Sequence, residues 1–264
     1  MKKEKAYVDK RRKDILSKLV ENPDIRVDEL ASIFNVSLVT IRRDLNYLEG
    51  KNLLVRSYGG ATPTDIASKG DPLGEVDDVT YYRNLIARYA ATLVEDDDTI
   101  FINTSRNALD VIQYMKGNNI SVITNNGRAI NCNNPSKVNI YLTGGEIRYP
   151  KEALVGEFAE RNLLKVYAKK SFIGCSGISA DCGMTTENVN EVHLNELMIQ
   201  RTMNEAYILA DHTKIGANSS FRSCGIDKIK HLITDELAPK DVIDAFRERG
   251  IDVYQVSRKN QSEW

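Results

Sequence analysis

Histidine is scarce in this chain. Only three occur in 264 residues, at positions 193, 212 and 231, none near another. The four cysteines, Cys132, Cys175, Cys182 and Cys224, make no Cys-x-x-Cys pair. Zinc-ligand spacing is therefore missing, and four free thiols in a reducing compartment are expected. Long hydrophobic runs are missing as well. None approaches the roughly 18 apolar residues of a membrane span, and the basic start MKKEKAYVDKRRK is not followed by an apolar signal core. The expectation is a cytoplasmic protein with no metal, no cofactor and no membrane partner.

What is present is ordinary in bulk and uneven along the chain. The apolar fraction is 42% and the charged fraction 28%, with a net charge of −1. Residues 1–60 hold 13 Lys and Arg against 9 Asp and Glu, a net of +4, and the remainder carries −5. A basic head on an acidic body points to a polyanionic partner for the head.

Three short amphipathic helices fit that head. The first, about 8–20, aligns Val8, Ile15, Leu16, Leu19 and Val20, and Asn22-Pro23-Asp24 stops it. The second, about 27–34, spaces Val27, Leu30, Ala31 and Phe34 as a buried stripe, with Asp28 and Glu29 in its dipole-favoured first turn. A tight Asn35-Val36-Ser37 connection follows, in which Ser37 is a good N-cap for a third helix running to Glu49 and closed by Gly50. LLVRSYGGAT then reads as two short strands about a glycine turn. Helix, helix, tight turn, helix, hairpin is a winged helix-turn-helix.

At 100° per residue the third helix turns Leu38, Ile41, Leu45 and Leu48 inward. Val39, Thr40, Arg43, Asn46 and Tyr47 occupy the other side, with Arg42 on the flank. Arginine can donate twice to a guanine edge or neutralise a phosphate, threonine and valine can meet a thymine methyl, and Asn46 can pair with an adenine edge. Ser37 and the free amides behind it suit a backbone phosphate, and Arg56 on the wing can reach a phosphate or the minor groove. The candidate DNA-binding set is therefore Ser37, Val39, Thr40, Arg42, Arg43, Asn46 and Arg56. A solvated helix face is the usual meaning of an isolated arginine pair, but here cap, turn and wing agree. Asp44 would repel phosphate and is expected to pair internally or orient an arginine.

Residues 62–78, rich in Pro, Gly, Asp and Ser, read as a linker. Beyond them, short apolar strands such as TIFIN, SVITN and VNIYLTGG alternate with helices expected at about 79–94, in ALDVIQYM, from about Gly127, and at 153–166, 188–204 and 239–248. That alternation predicts an α/β body, 79–264, with a largely parallel sheet. The whole is an α+β multidomain chain with 1–61 as its head.

The strands run into small and polar residues, and ligands of open parallel sheets bind beyond the carboxyl ends of strands. Arg106, Arg128 and Lys214 are the nearby cations, while Asn103, Asn125 and Asp211 can bond hydroxyls. A polyhydroxylated, phosphorylated small molecule fits that mixture. Glycine, serine and threonine also serve simply to turn a chain.

Arg11, Ile15, Leu19, Ser37, Thr40, Ile41, Arg42, Arg43, Asp44 and Leu45, with the RSYGGA wing, resemble the head of the DeoR family of bacterial transcriptional regulators, and the similarity runs to about Asp235. The resemblance implies a body similar to sugar-phosphate isomerases such as ribose-5-phosphate isomerase, used to sense a phosphorylated sugar or related metabolite. Through the family's Asp-x-x-Lys it implies Asp211 and Lys214 as ligand contacts. The loop after TIFIN and the TNN, LTGGE and GCSGIS turns complete the candidate effector-binding set: Asn103, Thr104, Ser105, Arg106, Asn107, Asn125, Gly144, Gly145 and Ser176. Many members carry Gly-Ser-Thr where this chain has Ser105-Arg106-Asn107. The added arginine strengthens phosphate binding or shapes a pocket for an acidic sugar. Many also carry lysine where Arg83 aligns.

The expected function is a repressor of sugar-metabolism genes, not an enzyme, acting on a double-stranded operator. One winged head covers few base pairs, so a homodimer or homotetramer joined through the bodies and the 79–94 helix is expected. The alternative is an isomerase-like enzyme with an appended head, for which Glu146, Asp181, Glu187 and Asp211 are the candidate bases.

Overall fold

The computed structural model describes residues 2–22, 25–49, 53–57, 60–63, 78–134 and 138–259, with backbone alone at 2–7, 9, 55–57 and 78. It divides into two compact units, Met1–Asp78 and Val79–Trp264.

The first unit contains α1 (Lys2–Glu21), α2 (Val27–Ile33), α3 (Leu38–Glu49) and the antiparallel strands β1 (Leu54–Ser57) and β2 (Gly60–Pro63). α1 starts well before residue 8 because Lys, Glu and Ala in its first turns are good helix formers without an apolar stripe. Ile15, Leu16, Leu19, Leu30, Ile41, Leu45 and Leu48 are buried in one cluster that extends to Leu53, Leu54 and Ala61 of the wing. Val20 and Leu38, expected on the buried stripes, are instead 39% and 45% exposed. Each sits at a helix terminus, past the packed portion of its stripe.

Between α2 and α3, Asn35 takes a left-handed φ of 49°, a conformation asparagine tolerates better than most residues. Ser37 then caps α3: its Oγ accepts from the Thr40 amide at 3.2 Å. An antiparallel bridge from Arg26 to Gly60 ties the start of α2 to the wing. Thr62 and Pro63, placed in the linker by composition, belong to β2 and pair with Val55 and Leu54. Residues 64–77 of the expected linker, with Gly50 and Gly59, lie outside the described residues.

Asp44 is the electrostatic centre of this unit. It is 1% exposed, and its two oxygens accept from Arg11 Nε at 2.8 Å and Arg12 Nε at 2.9 Å. The Arg12 guanidinium also lies 3.7 Å from the Tyr47 ring centroid. The acid expected to pair internally thus locks α1 onto α3.

The second unit is three-layered. Strands β3 (Thr99–Ile102), β4 (Ile120–Thr124), β5 (Val138–Leu142), β8 (Ala168–Gly174), β11 (Thr202–Leu209), β13 (His231–Asp235) and β14 (Asp252–Val256) form a seven-stranded sheet, every pairing parallel, ordered β14-β13-β11-β8-β3-β4-β5. Alternation along the central strands buries both faces. Ile100 and Ile102 join α4 (Asp78–Thr92) and α5 (Arg106–Leu109) on one side. Phe101 and Ile173 join α6 (Glu157–Leu163), α7 (Val189–Gln200) and α8 (Lys240–Glu248) on the other.

Three local readings needed revision. The helix expected at 153–166 is a strand, β7 (Ala153–Val155), followed by α6, because Gly156 takes a φ of 86° between them. β7 pairs antiparallel with β6 (Glu146–Arg148). The helix expected to reach 204 ends at Gln200, since Thr202–Leu209 are claimed by the sheet as β11. ALDVIQYM forms only the end of a four-residue helix and one 3-10 turn, Ile112–Tyr114. β9 (Gly177–Ser179), β10 (Gly183–Thr186) and β12 (Phe221–Cys224) make a small antiparallel sheet that the sequence did not announce.

The strand order reverses between β3 and β8, opening a crevice at their carboxyl ends. Asn103 ties the two exits. Its Nδ2 donates to Gly174 O at 2.8 Å and Asn195 Oδ1 at 2.9 Å, and its Oδ1 accepts from Gly174 N at 3.0 Å and Ser105 N at 3.2 Å. The approach leaves no room for a side chain on the β8 exit: a Cβ on Gly174 would stand 1.9 Å from Ser105 Oγ.

Two substitutions test these contacts. Asp44→Ala leaves two arginines without their buried acceptor and should destabilise the first unit by about 3 kcal/mol in denaturant unfolding; an unchanged transition would show that the clamp contributes nothing. Gly174→Ala should cost about 1–3 kcal/mol through overpacking against Ser105, read as a lowered melting temperature of the second unit.

Candidate functional site

On α3, Val39, Arg42, Arg43 and Asn46 are all exposed, and their i, i+3, i+4, i+7 spacing places them on one face. Val39 is 72% exposed. Thr40 is half-buried and its hydroxyl lies 2.9 Å from Ser37 Oγ, so these two side chains hold each other at the helix start. Arg42 and Arg43 make no ion pair among the described residues. Beneath them Ile41, Asp44, Leu45 and Leu48 are buried. The Arg56 side chain lies outside the described residues.

In the second unit a cavity of about 260 Å³ occupies the crevice where strand order reverses. Of the candidate effector residues, Asn103, Thr104, Ser105, Arg106, Asn107, Ser176, Asp211 and Lys214 line it. They come from the exits of β3, β8 and β11, three adjacent strands.

Asn125, Gly144 and Gly145 do not line it. Asn125 is fully buried, donating from Nδ2 to Leu154 O at 3.3 Å, while its backbone carbonyl accepts from Leu154 N at 2.8 Å. It joins β4 to β7. Gly144 and Gly145 form the left-handed turn into β6, with φ of 71° and 113°, and a Cβ on Gly145 would stand 2.5 Å from Val155 O. Both glycines answer to backbone geometry. Asn103 borders the cavity, but its four hydrogen-bonding positions are all occupied within the protein. It positions the loop and has no capacity left for a hydroxyl.

The lining also holds groups outside the candidate set. Arg83 from α4 donates through Nε to Asn107 Oδ1 at 2.6 Å, and its NH2 lies 3.5 Å from Asp211 Oδ2. Asn107 Nδ2 reaches the same oxygen at 3.4 Å. The other Asp211 oxygen accepts from the amide and hydroxyl of Thr213, so this fully buried carboxylate is engaged on both sides. Lys151, on the β6–β7 turn, lies 3.7 Å from buried Glu191, which also accepts from Thr186 Oγ1 at 3.1 Å. Arg128 donates to Pro150 O at 2.7 Å and stands 3.8 Å from Glu152. Arg106 and Lys214 remain, lining the cavity with no ion-pair partner among the described residues.

Lys151 and Glu191 have no local sequence signal. Lys151 reaches the cavity because β7 bridges Asn126 to Ala153, a long-range pairing. Arg83 was visible only through the family alignment.

The lining therefore carries five basic side chains against three acidic ones, beside paired groups suited to hydroxyl recognition. Its lining thiol, Cys175, favours the protonated form. Burial, aided by the nearby Asp211 charge, pushes Cys175 up to about 12. Of the candidate bases, Glu146 pairs with Arg148 and Asp181 with Arg249, both away from the lining. Glu187 and Asp211 line it.

Residues 11–66 match the DeoR-like helix-turn-helix domain and residues 80–236 match the DeoR C terminal sensor domain. Among curated relatives, the chain is 30% identical over 239 residues to the uncharacterized HTH-type transcriptional regulator FruR of Bacillus subtilis, covering 90% of this chain and 94% of that one. It is 30% identical over 234 residues to the lactose phosphotransferase system repressor of Staphylococcus aureus, covering 85% and 91%. It is 26% identical over 251 residues to a putative aga operon transcriptional repressor of Escherichia coli O157:H7, covering 93% of each. Among solved structures, ribose 5-phosphate isomerase A of Methanocaldococcus jannaschii overlaps 53% of this chain and 55% of its own at 13% identity and a TM-score of 0.36. With both its head and its sensor body matched, the chain belongs to the DeoR family of DNA-binding transcriptional regulators.

Proposed function

We propose that this regulator represses sugar-metabolism genes by binding a double-stranded operator, under the control of a phosphorylated sugar or related metabolite held in the strand-end cavity. The observation that carries the reading is the conjunction, in one chain, of an exposed arginine pair on a capped helix and a cavity lined by Arg106 and Lys214, which have no ion-pair partner among the described residues.

In this reading Val39, Arg42, Arg43 and Asn46 meet base edges in the major groove. Ser37 and Thr40 set the helix start against a phosphate, and Arg56 contacts the backbone or minor groove. Arg106 and Lys214 hold the phosphate, with the amides of the Thr104–Asn107 loop beside them. Arg83, Asn107 and Asp211 present a preformed hydrogen-bonding edge for sugar hydroxyls, with Ser176 across the β8 exit. Two heads are needed for a symmetric operator, so the working form is a homodimer or homotetramer in the cytoplasm. The names of the lactose phosphotransferase and aga operon relatives are consistent with a carbohydrate signal.

The protein acts as a sensor and not as an isomerase in this proposal. Asp211, the buried acid nearest the cations, is held by Arg83 and Thr213 and is poorly placed to accept a carbon-bound proton. A sensor requires only different affinities of the effector for two states. Measurable sugar-phosphate turnover, lost in Asp211→Asn, would overturn this choice.

Arg43→Ala should lower operator affinity by about 1–3 kcal/mol and relax base preference in footprinting; an unchanged footprint would contradict the groove assignment. In a thermal-shift screen, stabilisation should require the phosphate: sugar phosphates should shift the melting temperature and their free sugars should not. Lys214→Ala should abolish that shift while leaving operator binding intact, and a retained shift would remove Lys214 from the site.

A further inference from the structure

Asp211 and Lys214 reach the cavity from one short element, the 3-10 turn His212–Lys214 that Asp211 caps. In such a turn, side chains at i and i+3 stand on one side. Asp211 and Lys214 share the side that faces the cavity, and the two residues between them, His212 and Thr213, do not line it. The turn has few bonds of its own: the Lys214 amide donates to Asp211 O at 2.9 Å and the Ile215 amide to His212 O at 3.3 Å. The rest of its support comes from neighbouring elements.

One of these is Asp235, the last residue of β13. β11 and β13 are paired through Leu209 and Ile233, and the Ala210 amide donates to Ile233 O at 3.1 Å. Past that bond the side chain of Asp235 continues the join. Its Oδ2 accepts from the His212 amide at 2.7 Å, and its Oδ1 accepts from the Leu237 amide at 3.0 Å. Both oxygens also face His212 Nδ1, at 3.0 and 3.1 Å. A carboxylate that already accepts from two amides fits an Nδ1 that carries the proton and donates it. The Tyr82 ring of α4 meets the imidazole edge-on with centroids 6.0 Å apart, and Tyr82 is itself anchored by donating to Glu236 Oε1 at 2.9 Å.

Asp235 is fully buried and lines no part of the cavity. A buried carboxylate is costly unless donors surround it, and the His212 amide alone would need only one acceptor. The additional bond to the imidazole fixes the direction of the His212 side chain. With it is fixed the rotation of the turn that ends in Lys214.

We propose that Asp235 and His212 are positioning residues of the effector site: their carboxylate–imidazole bond holds the turn so that Asp211 and Lys214 are presented to the ligand together. The assignment rests on the effector reading above and extends it to two residues that touch no ligand.

The test is calorimetric titration of the full chain with inorganic phosphate, with a thermal melt for each variant. His212→Leu keeps the bulk and removes the donor, and should raise the phosphate dissociation constant on the order of tenfold. An asparagine side chain can set its Nδ2 where histidine has Nδ1, whereas glutamine reaches the position of Nε2. His212→Asn should therefore recover most of the lost affinity and His212→Gln should not, at matched melting temperatures. Should His212→Leu fail to fold, the comparison of His212→Asn with His212→Gln decides alone. Affinities that merely track melting temperature, or equal affinities in His212→Asn and His212→Gln, would overturn the assignment while sparing the effector reading. A wild-type chain that binds no phosphate, or binding that Lys214→Ala leaves intact, would overturn that reading and this assignment with it.

Discussion

The sensing half of this protein depends on one side chain, Asn103, which closes the gap where the sheet changes direction. Parallel strands that diverge from β3 and β8 must leave a crevice between their exits. A crevice alone is a soft feature, because the loops that wall it can move. Asn103 uses both amide hydrogens and both acceptor positions on Gly174, Ser105 and Asn195, and so fixes the β3 loop against β8 and α7. Gly174 makes the contact possible by carrying no side chain. The side chains that line the crevice are thereby held in set positions.

The head uses the same device with opposite polarity. A buried carboxylate, Asp44, collects Arg11 and Arg12 from α1 and leaves Arg42 and Arg43 outside. Four arginines within reach of one short helix could neutralise acids indiscriminately. Burial of Asp44 on the inward face sorts them into two that hold the fold and two that face solvent. Because the leucine stripe and the acid share that inward face, helix orientation and arginine exposure are set together.

Much of this was legible in the chain. The capped third helix, its buried Ile41, Leu45 and Leu48, and the alternation of apolar strands with helices follow from periods of 3.6 and 2 that any local window contains. The crevice was legible too, since strand ends rich in small and polar residues announce it. Legibility failed where a long-range partner chose the local state. Ala153–Val155 lead into α6 in sequence but are drawn into a strand by β6 and by the bridge to Asn126. Thr202 and Met203 pass from an expected helix to the sheet because β8 pairs with Thr202 and, after a bulge, with Glu205–Leu209. Asn125, Gly144 and Gly145 resembled ligand contacts by composition, yet they serve hydrogen bonds and turns that composition cannot distinguish from binding.

By itself the sequence determined the exposed polar face of α3, the two-part organisation and the end of the sheet at which the crevice opens. These depend on residue order over a few turns or strands. Only the tertiary structure decided which polar side chains at that end are already satisfied and which remain open. It spent Asn103 on protein partners, brought in Lys151 and Glu191 from distant segments, and left Arg106 and Lys214 with no ion-pair partner among the described residues. The physical reason is that a hydrogen bond or ion pair is assigned by three-dimensional proximity and burial, and neither is written in the spacing of residues along the chain.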